Sequence, residues 1–145
     1  MAPIPTGVYS ISRPVEQLIT VMDNELPTIA MLLPPTGNPG EQEFTLEELA
    51  NGNVSLRNVK NMGFLGTEGD LGVNMPVLAT GKQCEWALYQ ASQPFTFHIV
   101  VPGGPVDGVE LALDNSLLRI YPPRLALRPL DVNNPYQAWR FQFHE

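Results

Sequence analysis

Residues able to carry nucleophilic or acid–base chemistry are scarce in this chain. It has two histidines, His98 and His144, one cysteine, Cys84, and 15 carboxylates. A nucleophilic enzyme must bring a nucleophile, a base and an orienting group together. No Gly-x-Ser-x-Gly elbow is present, so the turn that exposes a catalytic serine is not encoded. His98 alternates with Phe97 and Ile99, which turns it away from them on a strand. His144 lies beside the C-terminus. Cys84 stands two residues before Trp86 and reads as a buried, inert thiol that packs like a small hydrophobe. One cysteine and two distant histidines give no zinc spacing. Glu68-Gly-Asp70 lacks the ligand repeat of a calcium loop and reads as a turn. Gly103-Gly104 is followed by neither a helix nor Gly-Lys-Ser, so it is not a phosphate loop. No catalytic residue, metal or cofactor is expected, and the chain reads as a non-enzyme.

Charge limits the partners. The formal net charge is -7, with only two lysines, Lys60 and Lys82. No basic cluster exists, so the electrostatic footprint of nucleic-acid binding is missing. Glu41, Glu43, Glu47 and Glu48 make a local negative patch, expected to be a solvated face. The start, Met1-Ala-Pro-Ile-Pro, has no basic region and no long apolar run. Neither a signal peptide nor a membrane span is visible, and a cytoplasmic monomer is expected.

The elements that must position any site are short strands. Fifteen prolines and 12 glycines in 145 residues disfavour long helices, because proline removes a helical donor and clashes with the preceding turn. Apolar alternation recurs in Val8–Ile11, Leu18–Met22, Thr28–Leu33, Val54–Leu56, Pro76–Leu78, Trp86–Tyr89, Phe95–Val101, Val109–Leu113, Leu117–Tyr121, Leu125–Leu127 and Trp139–Phe143. These runs are rich in β-branched and aromatic residues and bounded by turn formers. Phe44 to Ala50 has capping-box spacing at Thr45 and Glu48, but is too short for an independent helix. It reads as a strand ending at Asn51-Gly52. About twelve strands imply an all-β barrel or sandwich.

Three segments are alike: Pro27-Thr-Ile-Ala, Pro76-Val-Leu-Ala and Pro123-Arg-Leu-Ala. An aromatic follows each, at Phe44, Trp86 and Trp139. Three repeats of about 45 residues, four strands each, suggest pseudo-threefold symmetry. A β-trefoil satisfies that count: one domain over 1–145, with repeats near 7–51, 52–94 and 95–145.

Gly7-Val-Tyr-Ser-Ile and Asn133-Asn-Pro-Tyr-Gln-Ala-Trp139-Arg-Phe resemble segments of mushroom β-trefoil proteins. Gln137-Ala-Trp139 resembles the Gln-x-Trp signature of ricin-B-like trefoils. Over nearly the full chain, the pattern resembles the cospin-like fungal serine protease inhibitors and, more distantly, the mycocypins, which inhibit cysteine proteases. The cospin-like resemblance implies a defensive inhibitor whose partner is a protease. A rigid loop would enter the cleft of a serine protease, with a cysteine protease or legumain as further targets. Stiffness limits the ordering entropy lost on binding.

In that family the inhibitory residue lies between the second and third strands, here Asp23-Asn-Glu-Leu-Pro-Thr28. Asn24 and Glu25 are the geometric candidates there. Leu26 is the weaker one, since Pro27 follows it and crowds a scissile bond. The segment holds no basic residue for an aspartate-lined pocket. Asn58-Val-Lys-Asn-Met-Gly63 corresponds to a loop the mycocypins use. Lys60 suits an acidic pocket and Asn61 suits legumain.

The alternative implied by Gln-x-Trp is a ricin-B-like lectin. Such sites combine an Asp, an aromatic platform and an Asn within one repeat. Asp131, Asn133 and Tyr136 supply that chemistry.

Overall fold

The computed structural model describes residues 3–144 and is all-β apart from one 3-10 turn. Its strands are β1 (Gly7–Arg13), β2 (Gln17–Thr20), β3 (Thr28–Ile29), β4 (Met31–Leu33), β5 (Phe44–Glu48), β6 (Val54–Asn58) and β7 (Phe64–Gly66). They continue as β8 (Leu78–Thr80), β9 (Ala87–Gln90), β10 (Thr96–Val100), β11 (Leu111–Asn115), β12 (Leu125–Pro129) and β13 (Trp139–His144), with the 3-10 turn at Pro135–Gln137. Phe44 to Glu48 is the expected strand.

Antiparallel pairing closes a barrel. β1 pairs with β13 and β5, β5 with β6, β9 with β10, and β10 with β13. The remaining gap, between β6 and β9, is bridged by Val54 and Trp86, which exchange backbone bonds of 2.9 and 2.8 Å. Closure leaves no long unpaired strand edge around the ring. The hairpins β2–β4, β7–β8 and β11–β12 cap the barrel.

The cap meets at a ring of three backbone hydrogen bonds. Ala30 N–H donates to Val77 O at 3.2 Å, Val77 N–H to Leu125 O at 3.0 Å, and Leu125 N–H to Ala30 O at 3.0 Å. All three residues are fully buried. This ring fixes the threefold correspondence as Ala30, Val77 and Leu125. The matched Ala30, Ala79 and Ala126 of the sequence comparison are therefore offset by two residues and by one. The ring also explains a thirteenth strand. Both backbone groups of Ala30 serve it, which divides Thr28 to Leu33 into β3 and β4. The β-trefoil expectation holds.

Aliphatic side chains fill the barrel, among them Ile11, Leu46, Leu56 and Ile99. At its base lie Phe44, Trp86 and Trp139, at most 2% exposed. The two indoles also satisfy buried carbonyls: Trp86 Nε1 donates to Leu65 O at 2.9 Å and Trp139 Nε1 to Leu113 O at 3.0 Å. Tyr9, Phe97, Phe141 and Phe143 make edge-on aromatic contacts between β1, β10 and β13.

Two local expectations, at Leu117–Tyr121 and at Glu41, need correction, and one strand was not anticipated. Leu117 to Tyr121 is not a strand: it is an exposed loop before Pro122-Pro123, with Tyr121 80% exposed. Strand β7 has only three residues, ends in Gly66, and shows no alternation long enough to read. His98, on the opposite side of β10 from Phe97 and Ile99, is buried as well, since every residue of β10 is buried. Glu41 is not on a solvated face. It is 1% exposed and surrounded by donors.

Candidate functional site

Gln137, from the Gln-x-Trp element, organises the surface of the third unit. It is 2% exposed. Its Nε2 donates to Pro129 O at 3.0 Å and Asp114 Oδ2 at 3.2 Å, while Oε1 accepts from Asp131 N at 2.8 Å. One buried amide thus ties the end of β11, the end of β12 and the following loop to the 3-10 turn. Buried polar atoms must be satisfied this way, since an orphan costs about 1–3 kcal/mol.

Gln42 repeats the arrangement in the first unit. Its Nε2 donates to Pro34 O and to Thr20 Oγ1, each at 3.0 Å, and Oε1 accepts from Thr36 N at 3.1 Å. Gln42 thus reaches back 8 and 6 residues along the backbone, the same separations as Gln137. Gln42-x-Phe44 is therefore a second copy of the signature with phenylalanine in place of tryptophan. In the middle unit Cys84 takes this place. Its Sγ makes one weak bond, to Lys82 O at 3.6 Å, and it packs against Gly66. It is half-buried rather than fully enclosed.

The third unit adds a cation. Arg13, at the end of β1, donates through Nη1 to Asp114 Oδ1 at 3.1 Å, Asn115 Oδ1 at 3.0 Å and Tyr136 O at 3.3 Å. Its Nε donates to Gln17 Oε1 at 2.8 Å, and its guanidinium carbon lies 5.9 Å from the Tyr136 ring centroid. Asp114 is thus already paired, and Arg13 fixes the 3-10 turn from below. Asn134 caps that turn, its Oδ1 accepting from Tyr136 N at 3.0 Å. Asp131 Oδ1 accepts from Asn133 N at 3.0 Å.

The result is a short, braced ledge carrying Asp131, Asn133 and Tyr136, all exposed. It offers carboxylate and amide groups beside an aromatic face that is 48% exposed. Such a set can bind vicinal hydroxyls and stack on an apolar ring face. Beneath it, His98 is 2% exposed and its Nδ1 has no hydrogen-bond partner. Burial lowers its pKa, opposed by the backbones of Gln137 and Val132 and by the charge of Asp131. Asp131, Asn133 and Tyr136 are therefore neighbours on one segment. Arg13, Asp114 and Asn115, which brace it, carry no local sequence signal.

The other candidates form a separate assembly. Asn24 and Glu25 line a 440 Å³ cleft with Asp23, Pro27 and Thr28, and Leu26 is 37% exposed. Lys60 Nζ donates to Met22 O at 2.8 Å and lies 3.7 Å from Glu41 Oε2. Asn61 Nδ2 donates to Asp23 O at 3.0 Å. These two side chains tie the β2–β3 and β6–β7 loops together. Glu41 is the anchor: burial raises its pKa, but hydrogen bonds from Thr36 and Asn38 and the Lys60 charge outweigh that and lower it.

No protein-family model matches the chain, and no curated protein matches it. Solved structures do. A Macrolepiota procera ricin B-like lectin in complex with lactose is 18% identical, with a TM-score of 0.77, over 99% of this chain and 100% of that one. The Rhizoctonia solani agglutinin is 15% identical, with a TM-score of 0.83, over 99% of each chain. ThreeFoil, a designed threefold-symmetric protein, is 15% identical, with a TM-score of 0.75, over 95% of this chain and 99% of that one. These likenesses show the β-trefoil fold. The expectation of a serine protease inhibitor with a protease partner is corrected here: the neighbours named include a lactose-bound ricin B-like lectin and an agglutinin, and none is a protease inhibitor. The geometry agrees: Lys60 and Asn61, offered for a protease pocket, hold the protein's own backbone instead.

Proposed function

We propose that the protein is a carbohydrate-binding module without catalytic activity of its own. Sugar binds the ledge of Asp131, Asn133 and Tyr136. The observation that carries this reading is the half-exposed Tyr136 ring held between the Asn134 cap and Arg13, beside Asp131 and Asn133. A sugar ring presents an apolar C–H face and equatorial hydroxyls. Tyr136 stacks on the former, and Asp131 and Asn133 accept from and donate to the latter. Bracing by Gln137 and Arg13 means little ordering entropy is lost on binding. The lectin neighbours, one of them bound to lactose, support the same class of ligand. A glycan array with the protein and its Tyr136→Ala variant tests this. Binding that Tyr136→Ala weakens at least tenfold is expected; a blank array or an unaffected variant refutes it.

A further inference from the structure

A second surface feature adjoins the ledge, reaching Pro135 and Ala138 on either side of Tyr136. It is a groove of 830 Å³ between the β1–β2 turn, the β9–β10 turn and β13. That volume is within the range of small-ligand sites. Phe95 and Phe143, each 56% exposed, line it together with Val15, 73% exposed. Three residues lining it hold left-handed backbone without being glycine: Val15 at φ 67, Glu16 at φ 54 and Phe95 at φ 56. Such conformations are costly, most of all for a β-branched residue, and persist only where surroundings enforce them.

The surroundings here do enforce Phe95. Gln90 Nε2 donates to Ala91 O, Gln93 O and Thr96 O at 3.1, 3.1 and 3.3 Å, closing the turn on one amide. Phe95 O accepts from Phe141 N at 2.8 Å. The ring is thus presented to solvent on a rigid backbone.

Charge selects the ligand. The charged residues lining the groove are Arg13, Glu16 and Arg140. Arg13 is committed to Asp114. Arg140 is exposed, and among the described residues its guanidinium has no ion pair. Five of the six arginines lack an ion pair among the described residues, and Arg140 is the one of these five that lines this groove. Guanidinium pairs with carboxylate in bidentate fashion. The groove is open, with Ser12, Ser92, Gln93 and Gln142 among its walls. That suits a sugar, which keeps hydroxyls in water, better than an alkyl chain, which requires enclosure.

We propose that this groove binds an acidic saccharide, whose ring stacks on Phe95 and whose carboxylate pairs with Arg140. The proposal rests on the carbohydrate-binding reading but places the ligand in the groove beside the ledge, on Phe95 and Arg140 rather than on Asp131, Asn133 and Tyr136. The test is a 15N NMR titration of the whole protein with lactose, 3′-sialyllactose and a glucuronate-terminated disaccharide. At least one acidic sugar should shift the amides of Phe95, Thr96 and Arg140, with lactose leaving them unmoved. Arg140→Gln should weaken that response about tenfold or more, as expected for a lost charge-assisted pair, without changing any response at 131–136. Phe95→Asn, which tolerates the left-handed backbone, should do the same. Groove amides that stay still with both acidic sugars, or affinity unchanged by Arg140→Gln, overturn the proposal. Responses confined to 131–136 overturn the groove alone; responses confined to the groove overturn the ledge alone.

Discussion

Removing the buried amide of Gln137 puts a number on the bracing. Gln137→Ala strands two backbone groups, the Pro129 carbonyl and the Asp131 N–H, and removes one partner of Asp114. Asp114 keeps Arg13. At about 1–3 kcal/mol per buried orphan, partly relieved by water entering from the ledge, the loss is about 3 kcal/mol. With a urea m-value of about 2 kcal/mol/M, the midpoint should fall by about 1.5 M. Gln42→Ala should fall by a similar amount, since it removes the same two kinds of backbone contact. Cys84→Ala, at the corresponding place, removes only one weak sulfur contact and should cost about 1 kcal/mol or less. Urea unfolding followed by tryptophan fluorescence measures all three. A Gln137→Ala midpoint no lower than that of Cys84→Ala would refute the claim that these amides hold the loops.

Two further perturbations follow from buried groups. The folded-state pKa of His98 lies below its ordinary value, so the unfolded chain takes up the proton first as pH falls. Stability should therefore be full above about pH 6.5 and decline below it, down through the lowered folded value. Glu41 has its folded pKa lowered, so its contribution should be lost as pH falls below about 4.5 through that lowered value. Urea midpoints from pH 8 to 3 should show two declines; His98→Leu should remove the first and Glu41→Gln the second, and a flat wild-type profile contradicts both. A methyl group at Gly66 would run into Cys84 Sγ and lie 2.7 Å from Cys84 Cβ. Gly66→Ala should destabilise by about 1–3 kcal/mol, less so in a Cys84→Ala background; strict additivity of the two changes would show that they do not meet.

The strand rhythm was legible because a barrel wall buries alternate residues. Tyr9 and Ile11, or Trp139 and Phe141, are such pairs and announce themselves by type. The cap was less so. Its register is set by the ring through Ala30, Val77 and Leu125, whose side chains differ, so matching by proline and alanine slipped. Leu117 to Tyr121 has strand composition but no partner strand, and composition alone cannot supply one. Glu41 read as surface by its type, because Thr36 and Asn38, whose side chains satisfy it together with Lys60, signal only a turn in sequence. The ledge itself was visible as Asp131, Asn133 and Tyr136. Its support was not: Arg13 is 101 residues from Asp114, a pairing only the closed barrel creates. Gln42-x-Phe44 was readable in principle, had the aromatic been allowed to vary.

Carbohydrate binding at the ledge is most directly tested by titrating the strongest glycan from the array into 15N-labelled protein. Saturable shifts should appear at Asp131, Asn133 and Tyr136 and vanish in Tyr136→Ala, with the unfolding midpoint of that variant unchanged. No bound glycan, or shifts that survive in Tyr136→Ala, would contradict the account.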